Sequence, residues 1–178
     1  MKQAASALNR HKSEEERKEY TALVHEEAMR LSRLAENLLR LSRLDAQAII
    51  VRHEEIDIAE QIRQCVILLA ERWEEKNISF AIDLEPLVIA GDMDMTKQVW
   101  LNLLDNAIKY SGKGTRIQIK GRCSNEAVCV RIRDEGIGIP PDKQGHIFER
   151  FYQCDESHRE KGHGLGLPIV KRILELLG

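Results

Sequence analysis

Three short stretches of this chain hold residue types that could do chemistry. The first, WLNLLDNAIKYS, carries Asn102 and Asn106 four residues apart, a spacing that puts both amides on one face of a helix. Amide oxygens on a shared face can serve a hard cation such as Mg²⁺, which keeps several waters and takes few protein ligands plus substrate phosphates. Lys109 and Tyr110 close the same helix. The second stretch, DEGIGIP, follows the alternating run VCVRIR. Asp134 falls where the chain leaves a strand, so its carboxylate can accept from a donor such as an exocyclic amine. Gly136 and Gly138 let backbone approach a flat ligand closely. The third, KGHGLGLPIV, sets Gly162, Gly164 and Gly166 ahead of Pro168. Proline is tolerated in a first helical turn, and a helix start with free amides and little side-chain bulk suits an anion. No Gly-Lys-Ser/Thr follows and no strand precedes, so this is neither a Walker loop nor a dinucleotide fingerprint. Taken singly, each stretch has a plainer reading: surface asparagines, a strand exit, a linker or helix cap.

In order, NLLDNAIKY, DEGIGIP, IFERFYQ and GHGLGLPIV resemble the N, G1, F and G2 boxes of sensor histidine kinases. The preceding ALVHEEAMRLSRLAENLLRLSRLDA looks like the second helix of that family's dimerisation and phosphotransfer domain. The resemblance runs from about Ser13 to the chain end. It implies ATP and Mg²⁺ as cofactors, with Asn106 holding the metal and Asn102 beside it. It puts Lys109 near the phosphates, Tyr110 near the adenine, and Asp134 on the adenine amino group. Gly136, Gly138 and Ile139 line the same end. Phe148 and Phe151 match the aromatics that anchor a mobile lid, with Arg150 reaching the phosphates between them. Gly162, His163, Gly164, Leu165 and Gly166 fall at the triphosphate. Related chaperone, gyrase and mismatch-repair ATPases carry a glutamate where Asn102 stands. A neutral amide cannot take a proton from water, so the resemblance implies ATP held for transfer more than for hydrolysis. The activity implied is ATP-dependent phosphorylation of a protein histidine, relayed to a response-regulator aspartate.

The chain also departs from that family. The acceptor box, a histidine with an acidic neighbour and a basic-Ser/Thr-Pro run, is absent. His25-Glu26 lacks the run, and His11 and His53 lack it too. The acceptor histidine is therefore expected on a segment outside this chain. Past Gly178 the family continues with a glycine-rich turn and two strands, so lowered stability, or completion by a partner, is expected here. His163 stands where the family has a small or hydroxyl residue, and no firm role is assigned to it. Two other readings stay open: a serine kinase of the anti-sigma or mitochondrial dehydrogenase-kinase type, and a non-catalytic nucleotide-sensing interaction module. The long RLSRLAENLLRLSRLD helix argues against the serine kinases.

These residues need a frame to hold them. The 178 residues are 43% hydrophobic, 31% charged and only 4% aromatic, which describes a globular chain with an aliphatic core. A net charge of -2, without a basic stripe, excludes a nucleic-acid-binding reading. Four cysteines without CxxC spacing read as small buried thiols in a reduced, cytoplasmic setting. No run approaches the ~20 apolar residues of a membrane span, so membrane attachment is expected only through segments upstream of this chain, in a parent at the cell membrane.

The first dozen residues read as frayed. A capping box, Ser13 with Glu16, then opens a long amphipathic helix of about nine turns through Val24, Leu31, Leu38 and Leu44. Its stripe calls for a helical partner, implying a homodimer of the parent. A helix over 59–75, a strand over 78–84, a helix over 93–110 capped by Asp92 or Asp94, and two strands joined at Ser124-Asn125-Glu126 follow. A long loop from Gly136 to Gly162, with one helical turn near Ile147 to Phe151, leads to a last helix from about Leu165. The expected fold is α+β, a two-layer sandwich with a mixed sheet preceded by a long helix. Residues 1–46 are the partial dimerisation helix and 47–178 the ATP-binding domain.

Overall fold

The computed structural model describes residues 2–46, 51–124, 127–154 and 163–178, with side chains from Glu14 onward. Two compact units form, Met1–Arg40 and Leu41–Gly178. Helix α1 (Lys2–Asp45) is unbroken over 44 residues. The expected start at Ser13 therefore lies inside a helix, because the residues upstream include good helix formers and neither glycine nor proline. Within the first unit Val24, Leu31 and Leu38 stay exposed, whereas Leu41 and Leu44, which belong to the second, are buried.

The second unit continues through β1 (Glu54–Asp57), α2 (Ile58–Leu68), α3 (Ala70–Glu75), β2 (Ser79–Leu84), β3 (Val88–Gly91), α4 (Met93–Tyr110), β4 (Arg116–Ser124), β5 (Ala127–Arg133) and α5 (Gly166–Leu177). Strand β4 is central: β2 pairs with it in parallel from Ser79↔Arg116 to Leu84↔Gly121, and β5 pairs antiparallel out to Ser124↔Ala127. The sheet is mixed, as expected. Strands β1 and β3 form a separate antiparallel pair. Asn125 and Glu126 of the expected hairpin loop lie outside the described residues.

Period-two patterning on β4 buries Ile117, Ile119 and Gly121 while Arg116, Lys120 and Arg122 face out. The buried side meets Ile62 and Cys65 of α2 and Leu104, Ala107 and Ile108 of α4. Full burial of each isoleucine or leucine among them is worth about 1.5–3 kcal/mol. The core is aliphatic, as the composition required. Trp73 and Phe80 stand at its border, edge to face at 5.5 Å.

Three expectations need correcting. The helix over 59–75 is two helices, α2 and α3, broken at Leu69, whose amide turns back to Val66 and Ile67. The Trp73 indole takes the Val66 carbonyl at 2.9 Å, which an unbroken helix would have given to the amide four residues on. The turn expected at Ile147 to Phe151 instead forms at Gln144–His146. A relay of three-residue bonds, Lys143 to Pro140, His146 to Lys143 and Glu149 to His146, spaces the turns there. Only Cys65 is buried: Cys123 is exposed beyond the last buried position of β4, Cys129 lies on the exposed face of β5, and Cys154 is half-buried. Burial pushes the Cys65 thiol up, partly offset by Lys97.

Candidate functional site

Helix α4 starts on a firm cap. Asp92 accepts from the amides of Asp94 and Met95 at 3.1 and 3.0 Å, and from that of Arg52 at 3.2 Å. Its core face carries Met95, Val99, Leu104, Ala107 and Ile108. The same periodicity leaves Asn102 and Asn106 half-buried on another face. There they meet the start of α5: a Cβ placed on Gly166 would lie 3.5 Å from Asn102 Oδ1 and 3.7 Å from Asn106 Nδ2. Residues 60 and 64 positions apart in the chain thus form one surface, joining the first and third stretches.

Two features of that surface fit a polyphosphate and its metal. Helix α5 begins at Leu165 without a side-chain cap and without an acid in its first turn, so its orphan amides suit an anion. Asn102 Nδ2 is buried and makes no hydrogen bond among the described residues, a cost left standing at a site built for a polar ligand. The described residues gather no cluster of three His, Cys, Asp or Glu, so a cation would rely on amide oxygens and on its ligand's phosphates. Pro168 sits in the first turn as expected. The Leu165 side chain is only 1% exposed; it packs in the core and offers the site backbone alone.

The second stretch is stitched to the end of α4. Asp134, exposed, accepts the Gly136 amide at 2.9 Å, and Gly136 forms an isolated antiparallel bridge with Ser111, just past α4. The Arg116 amide donates to Glu135 at 3.1 Å. A Cβ on Gly136 would come within 2.7 Å of the Tyr110 carbonyl, so the approach admits no side chain. Gly138 takes φ 69°, and Ile139, 41% exposed, accepts from Gln144 Nε2 at 3.0 Å. Lys109 Nζ donates to the Tyr110 hydroxyl at 3.0 Å and lies 4.5 Å from its ring centroid.

The third stretch and the aromatic one are held together more thinly. The Phe151 amide donates to the Gly164 carbonyl at 3.0 Å, and both residues are left-handed, at φ 64° and 65°. For a phenylalanine that conformation stores strain. Phe148 and Phe151 are exposed, with Lys171 Nζ 5.9 Å from the Phe148 ring centroid. Arg150, expected at the phosphates, donates instead to Asp45 at 2.7 Å. Asp45 also lies 3.7 Å from Arg172, beside a cavity of about 230 Å³ that Phe148, Lys171 and Glu175 help to line. His163 is half-buried, and Gly162 lies outside the described residues. The sequence reading missed Ser111, Asp45 and Arg172; their roles arise from contacts across the fold and leave no local signal.

Residues 91–178 match the family of histidine kinase-, DNA gyrase B-, and HSP90-like ATPases. Over 155 residues, 86% of this chain, the sequence is 34% identical to the signal transduction histidine-protein kinase ArlS of Staphylococcus aureus. The chain spans about a third (34%) of that relative's length. Among solved structures, the mycobacterial sensor histidine kinase MprB is 32% identical with a TM-score of 0.64, over 71% of this chain and 80% of that one. Full-length ShkA in complex with AMPPNP is 32% identical with a TM-score of 0.70, over 80% of this chain and 30% of that one.

Proposed function

The chain belongs to the sensor histidine kinases, as their ATP-binding catalytic part, and from that premise we propose that it presents Mg-ATP to a histidine on another segment, for relay to a response-regulator aspartate. The observation that carries this reading is the seating of Gly166 against Asn102 and Asn106. Bound there, ATP supplies a transferable γ-phosphoryl group and Mg²⁺ neutralises its charge. Asn106 holds the metal through its side-chain oxygen, with Asn102 beside it. The uncapped start of α5, with Gly164 and Gly166, faces the phosphates, and Gly162, outside the described residues, is assigned to them by the family resemblance alone. Lys109, which donates to Tyr110 here, would hold a phosphate oxygen. Asp134 accepts from the adenine amino group, with Tyr110, Gly136, Gly138 and Ile139 around the base. Phe148 and Phe151 anchor the lid. Neither asparagine can deprotonate a water, which directs the site towards transfer rather than hydrolysis.

Two parts of the reading concern the parent protein. The exposed Val24, Leu31 and Leu38 of α1 pair with a second copy in a helical bundle. No described helix is long and apolar enough to cross a membrane, and the reading places this part on the cytoplasmic side of a membrane-bound parent.

The deciding experiment mixes the chain with a separately made helix carrying an acceptor histidine and with labelled ATP. Acid-labile phosphohistidine is expected. Acid-stable phosphoserine would favour a serine kinase, and nucleotide binding without transfer would favour a sensing module. In the same assay Asn106→Asp should lower Mg-ATP-dependent transfer by at least about tenfold, with unchanged circular dichroism. Full transfer by this variant would remove the metal role. Asp134→Asn should erase the preference for ATP over GTP.

A further inference from the structure

One basic side chain outside the boxes reaches the site through another element. Lys76 Nζ donates to three main-chain carbonyls at the end of α4: Ile108 at 2.7 Å, Lys109 at 2.9 Å and Ser111 at 3.0 Å. A helix leaves its last carbonyls without intrahelical partners. A cation there satisfies them and opposes the negative end of the helix dipole. Charge-assisted bonds are about twice as strong as neutral ones.

The root of this side chain is fixed as firmly as its tip. Lys76 caps α3, and Asn77 follows in the left-handed region at φ 52°. The amide of Ile78 returns to the Trp73 carbonyl and that of Asn77 to the Glu74 carbonyl, both at 2.9 Å, the pattern of a Schellman cap. The Lys76 carbonyl in turn accepts the Gly114 amide at 2.8 Å. Lys76 therefore clamps the chain on both sides of the α4 terminus.

That terminus is where the Asp134 turn docks. Ser111, whose carbonyl Lys76 holds, is bridged to Gly136. Gly136 packs on the Tyr110 carbonyl and donates to Asp134. We infer that Lys76 is a positioning residue for base recognition: its ammonium fixes the end of α4, and through Ser111 and Gly136 it sets the place of the Asp134 carboxylate. This rests on the reading of Asp134 as the adenine acceptor. Adenine offers an exocyclic amine that a carboxylate can accept, where guanine offers a carbonyl oxygen. A displaced carboxylate thus costs ATP affinity and selectivity together; of the residues assigned to the triphosphate, Lys109 shares that terminus, whereas the start of α5 does not.

The test measures binding of Mg-ATP, Mg-GTP and inorganic triphosphate to the full 178-residue chain and to Lys76→Met. ATP binding should weaken about tenfold, the loss of one well-placed charged hydrogen bond. The ATP preference over GTP should shrink in step, with triphosphate affinity falling by a smaller factor than ATP affinity. Equal losses for ATP and triphosphate, or an unchanged ATP preference, overturn the inference. Should Lys76→Met fail to fold, Lys76→Gln, which keeps two donors without charge, is measured against the same criteria and should fall between. Wild-type chain that ignores ATP overturns the functional reading and this inference together. Loss of preference in Asp134→Asn but not at Lys76 overturns this inference alone.

Discussion

At the Asp134 end of the site, a β-bridge and a glycine packed on a carbonyl join the segment after β5 to the end of α4, one amide-to-carboxylate bond ties it to β4, and another closes the turn on itself. At the Gly164 end, the described joint is one amide-to-carbonyl bond between two left-handed residues, Phe151 and Gly164, and the packing of Gly164 on the Tyr152 carbonyl, with no strand pairing among the described residues. The first region draws its order from the sheet and the aliphatic core beneath it. The second connects to α5 through a bend and exposes its aromatics. On the proposed reading, the first region would be the floor for a flat base and the second would lie at the charged phosphates. Electrostatic stabilisation requires donors placed before the reaction, whereas a lid has to open for exchange.

Substituting the glycine on each side separates the two regions most sharply. Gly136→Ala forces a methyl against the Tyr110 carbonyl and should lower global stability by about 1–3 kcal/mol in urea unfolding, with weaker ATP binding. Gly164→Ala also meets backbone, at 2.6 Å from the Tyr152 carbonyl, and at a positive φ. There the second region can yield locally, so the global loss should stay below about 1 kcal/mol. The effect should appear instead as lost ATP-dependent protection of the lid from protease. Equal losses of stability from both variants would break the contrast.

The smallest effect concerns the outer edge of the floor. Arg122 on β4 donates to Asp83 on β2 and holds its carboxyl below the usual carboxylate range. A carboxyl depressed in the folded state adds stability above its unfolded value, and loses it as pH falls through the folded one. Both groups are solvent-exposed, so the contribution is small. The difference in urea midpoint between the parent chain and Asp83→Asn should be present at neutral pH and vanish in acid. A gap that widens in acid would reverse the assigned sign.

The sequence alone already contained the bounds of α4, to the residue, because an aspartate cap opens it and an apolar period runs through it. The strands β4 and β5 were legible from their alternation to within one residue at their ends, Ser124 closing β4 rather than opening the loop. The break at Leu69 was hidden, since its cause is an indole seven residues from its acceptor, competing with a helix bond. The start of α1 was misplaced because Ser13 and Glu16 have the form of a cap, with good helix formers on both sides of it. Among the candidate residues, Leu165 shows the limit of reading by position. It falls inside the third candidate stretch, yet its side chain belongs to the core.

Residue order, cap chemistry and periodicity determined which side chains share a face and where the helix starts lie, for these depend on a few neighbouring residues. That Gly166 comes to rest on Asn102 and Asn106 was decided by packing of α5 on α4. So was the use of Lys76 as a clamp for carbonyls 32 to 35 residues away. So was the diversion of Arg150 to Asp45, 105 residues back. A hydrogen bond of that reach exists only once the core has fixed both partners, so no local window of the chain can contain it.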